Sequence, residues 1–140
     1  GDHYATHLLK NVRSSGSGAL EYVYDAEPVE RVEISSENLS AVLAGMHDLA
    51  TDGAVSQYFK DCIVDAAAKT GTIQTGDTKN NNGAFVCFAP YDDPQIAVAI
   101  VIEKGGSGAA LASTAVQVLN AYFSNTSASS AITGENTLLG

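Results

Sequence analysis

Basic side chains, cysteines and long apolar runs are all scarce in this sequence. Seven Lys and Arg stand among 140 residues against sixteen Asp and Glu, and the formal charge is −9. Binding to DNA or RNA needs clustered cations that displace counterions from phosphates, so a nucleic-acid partner is excluded. The two cysteines, Cys62 and Cys87, show no C-x-x-C spacing. Neither a zinc site nor a disulfide framework is expected, and both read as free, mostly buried thiols. The longest uninterrupted apolar run, Ile96 to Ile102, falls far short of the roughly 18 residues that a membrane-spanning helix needs. No basic stretch leads into an apolar one after Gly1, so no export signal is expected in this stretch of chain. His3 and His7 have a helix-type ligand spacing but lie in strand-like sequence without a carboxylate cluster, so they read as surface residues; no metal and no cofactor is expected.

What is present is a globular composition, with 45% hydrophobic residues. One domain with one core is the default at this length. His7 to Val12 reads as a short strand, and Ser14-Ser15-Gly16-Ser17-Gly18 as a turn after it. Ala19 to Tyr24 and Val29 to Ile34 read as a peripheral hairpin across Asp25-Ala26-Glu27-Pro28. Ser35 or Ser36 can cap a helix whose apolar face is Leu39, Val42, Leu43, Met46, Leu49 and Ala50, stopped at Asp52-Gly53. His47 sits at the rim of that face as a partly exposed polar residue. Three antiparallel strands follow: Ala66 to Thr75, Ala84 to Ala89 and Gln95 to Ile102, joined by turns at Gly76 to Gly83 and at Pro90 to Pro94. Gly105-Gly106-Ser107-Gly108 makes a strand-to-helix turn into a helix with Leu111, Thr114, Ala115, Val118, Leu119 and Tyr122 on one face. Ser124 to Gly140 has no periodicity and reads as a flexible tail. The pattern gives an α/β (α+β) fold, an antiparallel sheet with helices packed on it. The last strand is apolar on both faces, so one of its edges wants a partner, supplied by the peripheral hairpin, by a missing segment or by a second copy of the chain.

The sharpest chemical signal is Lys69-Thr70-Gly71-Thr72. Alternation along a strand sends Lys69 and Gly71 one way and Thr70 and Thr72 the other. A glycine inside a strand marks a close approach to the backbone, and a neighbouring lysine can hold a carboxylate or tune a nucleophile's proton.

Ala68 to Thr72 resembles the lysine-threonine-glycine motif of penicillin-binding proteins and serine β-lactamases. The likeness extends to Tyr4 to Lys10, to the helix ending in Gly45-Met46, to Ala84 to Pro90, and to Ile96 to Glu103 with the glycine-rich start of the last helix. It covers residues 1–123, the carboxy-terminal portion of a transpeptidase domain, and leaves 124–140 as the tail. Two features depart from the family pattern. Ala68 stands where the family often has glycine, and no serine here is followed three positions later by lysine. Ser56 precedes Lys60 by four, and Ser36-Glu37-Asn38 reads as a helix cap.

The resemblance implies a partial β-lactamase/transpeptidase-like fold that lacks its N-terminal strands and helical lobe. It implies a D,D-transpeptidase that cross-links peptidoglycan stem peptides through a serine acyl-enzyme and binds β-lactams, with this chain inactive alone. Lys69 then bonds the motif serine, Thr70 and Thr72 hold the substrate carboxylate, Gly71 gives room, and the Thr72 amide joins an oxyanion hole. An extracytoplasmic place, with a membrane anchor upstream, is implied in the same way. The alternatives are a serine β-lactamase and a non-catalytic β-lactam-sensing module.

Overall fold

The computed structural model describes residues 1–74 and 81–132, the last seven by their backbone alone. The chain divides into two units, Gly1–Leu39 and Ser40–Gly140.

The first unit is built of two antiparallel ribbons. β1 (Asp2–Tyr4) pairs with β4 (Pro28–Arg31), and β2 (Asn11–Arg13) pairs with β3 (Leu20–Val23). This corrects the expected hairpin: Ala19 to Tyr24 and Val29 to Ile34 do not pair with each other, and the strand expected at His7 to Val12 is confined to its end. The turn explains the difference. Gly18 adopts φ 68°, its N–H donates to the Ser14 carbonyl at 2.9 Å, and the Ser14 N–H donates to the Ala19 carbonyl at 2.9 Å. That closure folds β3 back on β2, so β4 finds its partner in β1. Every residue of this unit except Ser14 and Tyr24 is exposed, Leu8, Tyr22 and Val29 among them. Two-stranded ribbons without a packed face are marginal in water, so these strands need a covering surface.

The second unit holds the core. α1 (Ser36–Thr51) starts where the Ser35 hydroxyl accepts the Asn38 N–H at 3.2 Å, and stops where the Gly53 N–H donates to the Asp48 carbonyl at 2.8 Å. Of its expected face only Ala50 is fully buried, and Leu39 and Val42 stay exposed. After the short α2 (Ser56–Phe59) come β5 (Ala67–Ile73), β6 (Asn82–Ala89) and β7 (Ile96–Ile102), in the order β5-β6-β7 with both pairs antiparallel. The turn expected at Gly76 to Gly83 falls mostly on residues 75–80, outside the described residues.

Register assigns the faces. Thr70 lies opposite Phe85 and Ala68 opposite Cys87, whereas Lys69 lies opposite Val86 and Gly71 opposite Ala84. Phe85, Cys87 and Ala89 are buried in one cluster with Ala112, Ala115 and Leu119 of α3 (Ala112–Ile132), which follows a single 3₁₀ turn at Gly108–Leu111. Burying side chains the size of Phe85 and Leu119 contributes about 1.5–3 kcal/mol each. Ala115 and Leu119 of the expected α3 face are buried, with Leu111 just before the helix, but Ala112 and Val116 are inside as well, while Val118 and Tyr122 are exposed. Small alanines let the helix axis come close to the sheet, and this outweighs the larger side chains. α3 also runs through residues 124–132, which the sequence pattern assigns to the tail. Extending a helix costs far less than nucleating one, so a Ser/Ala/Asn stretch without an apolar stripe can continue it. Residues 133–140 lie outside the described residues.

Candidate functional site

Lys69, Thr70, Gly71 and Thr72 all lie on β5, an edge strand: β6 bonds one side, and no described strand bonds the other. The observed register matches the expected alternation. Lys69 shares its face with Val86, and Thr70 and Thr72 share the opposite face, that of Phe85, where Thr72 is exposed. Lys69 is exposed, Thr70 is half-buried, and the Lys69 Nζ donates to the Thr70 carbonyl at 2.6 Å. The ammonium therefore lies along its own strand with no carboxylate counter-ion recorded among the described residues.

Gly71 is approached from within the protein. A Cβ at Gly108 would press on the carbonyl oxygens of Ala84 and Gly71 and lie 2.8 Å from the Gly71 nitrogen. A Cβ at Gly71 itself would stand 3.3 Å from the Ala84 Cβ. Gly105 to Gly108 is a strand-to-helix turn, as expected, with Gly106 at φ 75° and the Ser107 hydroxyl accepting the Ala109 N–H at 3.3 Å. It is latched to the start of β6: the Gly106 N–H donates to the Asn81 carbonyl and the Lys104 N–H to Asn82 Oδ1, each at 2.9 Å.

Other expected candidates stay apart from this strand. His3 lies 3.6 Å from Glu30, and His7 stacks on Tyr24 with centroids 3.7 Å apart. Among the described residues no three His, Cys, Asp or Glu side chains could hold a metal ion, and no helix is long and apolar enough to cross a membrane. Cys62 and Cys87 are free thiols. Burial pushes Cys87 up to about 11, with Cys62 adding to it, and burial also raises Cys62. His47 is partly exposed, as expected, and its Nε2 lies 2.9 Å from both carboxylate oxygens of Asp65. No sequence spacing signals that pair, because its members are eighteen residues apart on different elements.

The family model of the penicillin binding protein transpeptidase domain matches residues 1–123. The chain belongs to that family. Among curated relatives, penicillin-binding protein 2A of Bacillus subtilis is 32% identical over 68% of this chain and 15% of its own length. Peptidoglycan D,D-transpeptidase MrdA of Escherichia coli K12 is 30% identical over 81% of this chain and 20% of its own length. The chain thus spans about a fifth or less of the relatives it matches. Among solved structures, Pseudomonas aeruginosa PBP2 superposes with a TM-score of 0.60 at 31% identity, covering 71% of this chain and 23% of that one. Penicillin-binding protein 2B of Streptococcus pneumoniae strain 5204 shares the fold, with a TM-score of 0.65 at 21% identity over 87% of this chain and 21% of its own. The mixed α/β architecture is therefore part of a transpeptidase-domain fold.

Proposed function

We propose that this chain forms one wall of the acyl-transfer site of a peptidoglycan D,D-transpeptidase. Its carrying observation is that Lys69-Thr70-Gly71-Thr72 occupies a strand that no described strand pairs on its outer side, inside the region 1–123 matched by the family model. A peptide substrate laid along that edge finds unpaired backbone groups to bond. Lys69 hydrogen-bonds the motif serine and keeps the site positive. The Thr70 and Thr72 hydroxyls take the carboxylate of a stem peptide or β-lactam, and Gly71 leaves room for the substrate backbone. The Thr72 N–H is one donor of the oxyanion hole, a group whose loss costs about a hundredfold or more in rate.

The reaction is a two-step acyl transfer. A serine oxygen attacks a stem-peptide carbonyl and expels an amine, leaving an ester. An amine of a second stem peptide then takes the acyl group and returns the proton to the serine. That serine lies outside these 140 residues, since none here precedes a lysine by three, so the chain alone is inactive. Residues 1–123 form the functional portion and 124–140 an appendage. The enzyme works outside the cytoplasm, anchored by an upstream segment, and its partners are stem peptides, β-lactams and the remaining part of the same domain.

The longer native protein, given a stem-peptide donor and an acceptor amine, is expected to yield the transferred peptide. Rapid catalytic hydrolysis of β-lactams without transfer would make it a β-lactamase instead.

A further inference from the structure

Among the described residues β5 is bonded by a strand along one side only, yet the residues just before it carry a second set of ties. His47 on α1 donates through Nε2 to the Asp65 carboxylate, 2.9 Å from each oxygen. Asp65 Oδ1 also accepts the Ala66 N–H at 3.1 Å. The Asp65 carbonyl accepts the Tyr91 N–H at 3.0 Å, which brings in the turn after β6. The imidazole then stacks on the Tyr91 ring, with centroids 4.3 Å apart and planes 21° from parallel, and Tyr91 stacks in turn on Phe88 at 6.4 Å. One residue, Asp65, collects bonds from a helix, from the start of the strand and from a turn.

On α1 Ala50 is the one fully buried residue, and Leu49 packs partly buried against the core. The His47 side chain is 27% exposed and that of Asp65 55%, so the pair contributes little raw stability. Its value is geometric. Asp65 lies four residues before Lys69, about 13 Å along an extended chain. A tilt where β5 begins is carried to Lys69 and Thr72, because no second strand among the described residues holds the outer edge.

We propose that His47 and Asp65 are positioning residues for the acyl-transfer strand, setting the angle at which β5 presents Lys69 and Thr72. This rests on the reading of β5 as an acyl-transfer wall.

The test uses the longer native protein with His47→Ala and His47→Gln, at a temperature where melting curves show all forms folded. Second-order acylation by a fluorescent penicillin is read beside hydrogen exchange of the β5 amides. His47→Ala is expected to slow acylation by about tenfold, since sub-ångström misplacement of a site group costs that order of rate, and to speed β5 exchange. Glutamine keeps an N–H donor for Asp65 and is expected to restore acylation to within about threefold of the native rate, the donor being the part that matters. Native-rate acylation and unchanged exchange in His47→Ala overturn the proposal, and so does His47→Gln as slow as His47→Ala. A native protein that takes no penicillin overturns the acyl-transfer reading instead; the exchange comparison then still decides whether His47 anchors β5.

Discussion

Gly108 rests on the bare backbone of Gly71, so the start of the last helix and the lysine-threonine-glycine strand touch main chain to main chain. A methyl group on Gly108 would meet the carbonyl oxygens of Gly71 and Ala84, neither of which can swing aside. A methyl group on Gly71 would meet only the Ala84 Cβ, at 3.3 Å.

Gly108→Ala is therefore expected to destabilise the native protein by about 1–3 kcal/mol through overpacking, and Gly71→Ala by less. Urea midpoints of the two variants check this. The reverse order would mean that the helix start does not press on β5.

Burial raises both thiols, and the consequences differ in kind. Cys87 is 2% exposed and Cys62 only half-buried, so iodoacetamide at pH 8 is expected to modify Cys62 long before Cys87. The raised Cys87 value also links to stability. The folded state holds the proton up to about 11 while the unfolded chain releases it near 9.0. Stability from this group is present below pH 9, falls as pH climbs from there to about 11, and changes no further above that. Equal labelling of the two cysteines in the folded protein, or in Cys87→Ala the same alkaline loss of stability as in the native chain, would contradict this.

No strand among the described residues pairs the outer edge of β7, and Ala97, Ala99 and Val101 are exposed on it. The isolated chain is expected to associate through this edge, and Val101→Lys to reduce that association, because an edge charge opposes strand pairing. Light scattering across a concentration series reads both. A native chain that stays monomeric at the highest concentration contradicts the expectation.

Much of the second unit was legible in the sequence because its signals are local. The Ser35 cap, the alternation from Lys69 to Thr72 and the punctuation by Pro90 and Pro94 each act within a few residues. The ribbons of the first unit were not legible as such. β1 pairs with β4 across nearly thirty residues, and the choice between that pairing and a β3–β4 hairpin is made by closure at Gly18. Leu111, Ala115 and Leu119 of the expected apolar face are inside, but the face is turned toward Ala112 and Val116 and away from Val118 and Tyr122, a choice made by packing on the sheet. His47 and Asp65 were invisible as a pair, since only the folded chain brings α1 beside the start of β5. A glycine inside a strand makes close approach at Gly71 legible, but Gly108 as the group that approaches it is a fact of tertiary packing.

The most direct test of the central claim is the intact mass of the longer native protein before and after exposure to a β-lactam, with Lys69→Ala alongside. The account predicts one adduct per chain, on a serine upstream of these residues, lost or slowed about a hundredfold or more in Lys69→Ala, and none on the present chain alone. An adduct on a serine within these 140 residues, or one that forms as fast in Lys69→Ala, would contradict it.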